Sequence, residues 1–398
     1  MKKIFNLFFL LVGSFVFAQS NYIHQVLLLN EGQYSNNEVV HPVTVGVYSP
    51  SDNTYNTIIE IDDVRFASDL VLDGNCFYVA ADNKILKYDL DTYELIGTVD
   101  IQGVRKLVVD GDYLFASRGD YDPITFSAVI FDSYLEVFSK TDLNYLFSFD
   151  VTNGPAWSTE NLLINEDKLY VLINNAYDWG NYKGLIGVVD LLNMTYLEEL
   201  DLGEDGKNPI NMMFKNNTIY TLNNKNWDGS SVSILDLNMT NIETVNLSDV
   251  SAGCGVSLIR ESKLNYQKTG DTQMSIFDLE TQSTSGYENN LNQNYYAISE
   301  DPVNNYLYAA VSSFTSDSEV IIYGFDNVVY NSFFADVATS AIVFDVRNNN
   351  ISSVGNHIAQ SHQIIQTIDV LGRFVTKDHG LTIEVFDNGS YNKKFLIK

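Results

Sequence analysis

The chain has 398 residues and carries 51 Asp and Glu against 23 Lys and Arg, a formal charge of −28 at neutral pH. That balance repels nucleic acid and anionic lipid headgroups, so neither is expected as a partner. Hydrophobic residues at 45% and aromatics at 13% exclude a disordered acidic chain, and two cysteines are too few for a disulfide scaffold.

Residues 1–18 read as a secretory signal peptide. Met1-Lys2-Lys3 opens an apolar run from Ile4 to Phe17, and Val16 and Ala18 stand at the −3 and −1 positions of a cleavage site. The run is shorter than the roughly 20 residues a bilayer needs. Export is therefore expected, with a mature form that has no membrane span and no Cys to anchor a lipid.

From residue 19 to 347 one pattern recurs. Its clearest copies are Leu86-Lys87-Tyr88-Asp89-Leu90, Gly187-Val188-Val189-Asp190-Leu191, Ser233-Ile234-Leu235-Asp236-Leu237 and Ser275-Ile276-Phe277-Asp278-Leu279. Weaker copies centre on Val47, Val137 and Tyr323. Each follows two short apolar runs joined by a polar turn, at a period of roughly 40 to 50 residues, as expected of a propeller blade. The first copy has a second strand before it (Gln25–Asn30) but no first strand, whereas Ala341–Val346 is a first strand with no copy after it. Pairing the two predicts an all-β, seven-bladed β-propeller closed by its N- and C-terminal strands. Length alone suggests two or three domains; the repeat makes this stretch one ring.

Loops between second and third strands open on the same face as the loops that join blades. Trp157, Tyr177, Trp179, Tyr182, Trp227, Tyr121 and Tyr34 all fall there, among Asn, Asp and Gly, which makes them candidate ligand-binding residues. Two readings stand side by side: stacking on a flat or sugar-like ligand, and covering the loops themselves. Asp120, Asp122, Asp178 and Asp228 lack calcium-loop spacing and read as solvated carboxylates. His24 and His41 are the only propeller histidines and neither sits in a triad or metal-ligand pattern. No catalytic residue, metal ligand or cofactor is assigned, and the expectation is a non-catalytic binding protein. Cys76 and Cys254 are expected not to bridge and to fill the core.

Residues 348–398 form a small C-terminal β-module after the joint Asn348-Asn349-Asn350. Strands are expected at Gln363–Val370, Arg373–Thr376, Leu381–Phe386 and Tyr391–Ile397. From Ser352 the tail is net +1, which together with the two signal lysines leaves −31 on the middle.

Two resemblances add to this reading. Ile368-Asp369-Val370-Leu371-Gly372-Arg373-Phe374-Val375, with Gly389-Ser390-Tyr391 and the closing lysines, resembles a type IX secretion sorting domain, though the usual Pro-Asn-Pro opening is absent. It implies the type IX secretion machinery as partner and delivery to the cell surface or medium. The stretch from Val188 to Leu222 and the opening Leu29-Asn30-Glu31-Gly32 resemble YVTN/YncE-like propellers. Secreted relatives of that kind include cobalamin-capturing proteins, which implies a cobalamin-like ligand and a TonB-dependent outer-membrane receptor. A lactonase-like metal-dependent hydrolase and a surface adhesion protein are the alternatives.

Overall fold

A computed structural model describes residues 21–238, 241–348, 364–369, 380–386 and 391–396. Residues Asn21–Arg347 form one compact unit of seven four-stranded antiparallel sheets. Blade 1 joins Thr339–Asn348, innermost, to Asn21–Asn30, Val43–Ser49 and Thr54–Ile61. The other blades run in chain order from the axis outward, beginning at Asp69, Val104, Thr159, Pro209, Ser257 and Tyr295. The expected fold and its closure by both chain ends are present.

Second and third strands are buried almost throughout, as in Cys76–Ala81 and Ser230–Asp236, whereas outer strands such as Leu95–Asp100 alternate between half-buried and exposed. The cause is that both faces of a blade are covered by its neighbours. Side chains alternate along each strand, so Val26 and Leu28 pack towards blade 7 while Leu27 and Leu29 pack towards blade 2. Phe77 and Val79 face blade 1; Tyr78 and Ala80 face blade 3. The hydrophobic core is thus divided among the clefts between adjacent blades.

The repeated Asp is a turn device. Asp89, Asp190 and Asp278 end their third strands, and each Oδ1 accepts the N–H groups two and three residues on, at 2.8–3.0 Å. This geometry favours Asp over a residue with no short acceptor.

Closure rests on buried polar contacts as well as the strand ladder. Thr339 Oγ1 donates to Asn30 Oδ1 at 2.6 Å, and Gln25 Nε2 donates to Asp345 Oδ2 at 3.1 Å. The Glu31 and Gly32 N–H groups reach the carbonyls of Ala338 and Val337.

In the C-terminal unit, Ile364–Asp369, Gly380–Phe386 and Tyr391–Leu396 make a three-stranded antiparallel sheet in chain order. The expected strand Arg373–Thr376 and the signal peptide lie outside the described residues. No helix among the described residues is long and apolar enough to cross a membrane.

Candidate functional site

The inner strands of blades 1, 3, 4, 5, 6 and 7 start around a central cavity of about 460 Å³, lined among others by Ser340, Arg105, Glu160, Asn211, Ser257 and Ala297. Loops from both expected sets reach it. Tyr177 and Trp227 come from the loops between second and third strands of blades 4 and 5, and Cys254 from the loop that joins blades 5 and 6.

The wall is braced from blade to blade by side-chain amides. Asn174 Nδ2 donates to Pro209 O, Asn211 Nδ2 to Ser257 Oγ at 2.9 Å, and Asn224 Nδ2 to Gly253 O at 2.8 Å. Next to this brace, Lys225, Asn226 and Trp227 all take left-handed backbone conformations, with φ of 46°, 56° and 72°. Three such residues in a row carry strain, and here they set the Trp227 ring at the cavity mouth, 47% exposed.

Within the cavity, charges are arranged in pairs. Arg105 Nε and Nη2 donate to the two oxygens of Glu160, each at 3.2 Å, a forked geometry. The Arg105 guanidinium also lies 5.5 Å from the Tyr177 ring centre and 5.8 Å from that of Phe66. Burial is the largest influence and works against its charge, but Glu160, Tyr177 and Glu31 together hold its pKa above the usual value. On the blade 1 side Tyr296 OH donates to Glu31 Oε2 at 2.9 Å. Burial raises the Glu31 carboxyl above its ordinary value, against the pull of that bond and of Arg105 and Lys106. Burial, reinforced by Glu31, likewise raises Tyr296.

A second opening of about 610 Å³ lies over blades 2 and 3, lined by Arg65, Asp82, Asp100, Asp120, Tyr121 and Asp122 among others. Arg65 fills the gap between Asp82 and Asp120 and bonds to both. Arg65 is paired with two carboxylates where Arg105 is paired with one, so the central cavity is the stronger site for an anion.

The sequence-predicted aromatics do not converge on one point. Tyr177 and Trp227 line the central cavity, and Trp227 Nε1 donates to Tyr182 OH at 3.1 Å. Tyr182 itself lines a smaller depression beside Lys183 and Lys207. Tyr121 stacks against Tyr177, and Trp179 against Phe126 at the rim. Trp157 follows the second of the two readings: it packs on the core between blades 3 and 4, with Lys183 Nζ 4.2 Å from its ring centre. Tyr34 belongs to the hairpin Gln33–Ser35 with Glu38–His41 and lines neither opening.

Other expectations are corrected as well. Cys254 is exposed in a loop, three residues before its strand begins, and Cys76 is half-buried; both are free thiols. Asp120 is no solvated carboxylate, since it is 4% exposed against Arg65. Asp122 and Asp178 remain open to solvent, each also accepting hydrogen bonds within its own loop. Among the described residues, no group of three or more His, Cys, Asp or Glu side chains is placed to hold a metal. Arg105, Glu160, Glu31 and Tyr296 escaped the sequence reading because each stands at or next to a strand end, where polar residues are ordinary. The signal was there in Val104-Arg105-Lys106, where two cations open an otherwise apolar inner strand.

No family model and no curated protein sequence matches the chain. Among solved structures, 1159 chains match, a breadth that fits a common fold and selects no activity. A candidate 6-phosphogluconolactonase from Bacteroides fragilis is 14% identical, with 81% of this chain and 98% of that one covered at a TM-score of 0.57. A hypothetical selenium-binding protein from Sulfolobus tokodaii is 8% identical, covering 82% of this chain and 94% of that one at a TM-score of 0.58. The dihydro-heme d1 dehydrogenase NirN, solved in complex with DHE, is 13% identical, covering 81% and 75% at a TM-score of 0.50. At these identities the likeness establishes the propeller fold alone. It does remove the ground for expecting a non-catalytic protein, because structures of this fold include proteins named for a dehydrogenase and a lactonase activity. A propeller without a histidine triad is therefore not for that reason inert.

Proposed function

We propose that the protein is an exported, surface-delivered propeller that binds a small organic anion in its central cavity. The observation that carries this reading is the Arg105 fork. Two of its N–H groups are spent on Glu160, while Nη1 has no partner among the described residues and belongs to a residue lining the cavity. The remaining guanidinium edge, at Nη1, can donate to a carboxylate or phosphate oxygen. Tyr177 and Trp227 supply apolar walls for the rest of the ligand.

Export and surface delivery rest on residues 1–18 and on the sorting-like tail, with the type IX machinery and a TonB-dependent receptor as the partners that reading implies. Corrinoid capture is its most specific form. A cavity of about 460 Å³ holds only part of a corrinoid, so the macrocycle would lie across the mouth against Trp227.

Calorimetric titration with cobalamin and with a panel of small carboxylates and sugar phosphates tests the reading. Binding to at least one of them is expected, lost in Arg105→Gln and strengthened severalfold in Glu160→Gln, where the competing carboxylate is gone. Binding that is indifferent to both substitutions would place the ligand elsewhere.

A further inference from the structure

Five asparagines among the described residues line the central cavity, and the fold leaves the amide of one of them unpaired although it is buried. Asn174, Asn211 and Asn224 spend both amide atoms. Besides donating from blade to blade, they accept from Ala176 N–H at 3.1 Å, Met212 N–H at 2.9 Å and the Ser251 hydroxyl at 2.8 Å. Asn161 is half-buried, where solvent serves its amide. Asn208 is 2% exposed, yet its amide has no hydrogen-bond partner among the described residues. Neither of its amide atoms is fully enclosed. The little surface it keeps therefore includes its polar end, at the cavity that it lines.

The backbone turn does not account for this side chain. Asn208 takes φ 52°; its N–H donates to Lys183 O, and its C=O accepts from Asn224 N–H. Gly103 stands at the same joint ahead of blade 3, at φ 71°, and makes the same two bonds, to Asp82 O and from Gly119 N–H. A Cβ there would meet Asp120 Cβ at 2.9 Å and the Phe131 ring at 3.0 Å, so no side chain fits. Asn tolerates a left-handed conformation, but glycine adopts it at lower cost. The turn ahead of blade 5 thus carries an amide that its backbone does not need, beside a cavity that has room for it.

We propose that Asn208 selects, within the anion site, a ligand that carries an amide edge: a primary carboxamide or the lactam of a heterocycle. This rests on the anion reading of the same cavity and narrows it. Solvent serves a cavity-facing amide only until a ligand displaces it. The ligand must then offer an acceptor to Nδ2 and a donor to Oδ1, or leave a buried polar group unpaired. Sites with such groups discriminate strongly against ligands that lack the matching atoms. A carboxylate or phosphate offers acceptors only, which suits Arg105 Nη1 and leaves Asn208 Oδ1 without a donor. An amide edge presents donor and acceptor side by side, the arrangement by which an Asn side chain reads the edge of a nucleobase.

Calorimetry on the full chain tests this with ligands taken in pairs. Glutaramate and pyroglutamate each join a carboxylate to an amide, whereas monomethyl glutarate and the γ-lactone acid carry ester oxygen in place of the amide nitrogen. Uridine monophosphate and its ring-N-methylated form make a third pair, with a phosphate as the anion. In at least one pair the amide ligand is expected to bind about tenfold or more tightly than its partner; the pair that does so tells carboxamide from lactam. Asn208→Gly keeps the turn, and the two members of that pair should then bind alike. Asn208→Asp, of the same shape but without a donor, should abolish the preference too, while Arg105→Gln weakens both members. Equal binding within every pair, or a preference that survives both Asn208 substitutions, would overturn the proposal and leave the anion reading standing. Binding by none of these ligands would overturn it as well, and the wider panel of carboxylates and sugar phosphates then shows whether the anion reading falls with it.

Discussion

At the scale of single residues, the central cavity sets opposite charges in a space that water reaches, and Glu31 shows the consequence. Its carboxyl is raised above 4.5 mainly by burial, so the native state holds the proton more tightly than the unfolded chain. Such a group favours the fold at low pH and withdraws that stability as pH rises from the unfolded value through the folded one. Glu31→Gln keeps an oxygen to accept the Tyr296 hydroxyl but cannot ionise. The variant is expected to be at least as stable as the parent at pH 7 and to lose any advantage below about pH 4. Urea unfolding at the two pH values measures this; a variant clearly less stable at pH 7 would mean that the charged carboxylate stabilises the fold through Arg105 and Lys106.

At the scale of elements, ring closure depends on one strand that arrives from the far end of the chain. Thr339–Asn348 pairs with Asn21–Asn30, and without it the latter would be an open edge. Thr339→Val removes the hydroxyl that donates to buried Asn30 Oδ1 while preserving shape. Leaving a buried acceptor unpaired costs about 1–3 kcal/mol, so a loss of that size in urea unfolding is expected. A loss no larger than that from a surface substitution would show that the strand ladder alone closes the ring. The blades and this closure were legible in the sequence because apolar runs of strand length recur at a fixed spacing, a signal spread over many residues. The site was less legible. Tyr177 and Trp227 were found because aromatics stand out in polar loops, but the same rule picked Trp157, which turns inward. Arg105, Glu160 and Glu31 come together only through the geometry of the ring, between residues up to 129 positions apart, a juxtaposition no local pattern encodes.

For the whole molecule, the excess of acid is tied to architecture through the turns. The carboxyls of Asp89 and Asp278 are held below 3.8 first by backbone N–H bonds, and that of Asp190 by Asn193. A lowered carboxyl contributes stability that is complete above the unfolded value and is lost as pH falls through the folded one. Acid should therefore loosen several blades together, below about pH 3.8. Asn keeps the side-chain oxygen that the turn needs but carries no charge. Replacing Asp89, Asp190 and Asp278 together by Asn removes the charge that these bonds favour, so the variant should be less stable than the parent at pH 7 and should lose less stability between pH 6 and pH 2. Urea unfolding followed by circular dichroism at steps from pH 6 to pH 2 measures that loss. A flattened pH dependence ties acid sensitivity to the turns; an unchanged one would assign it to ion pairs such as Arg105–Glu160.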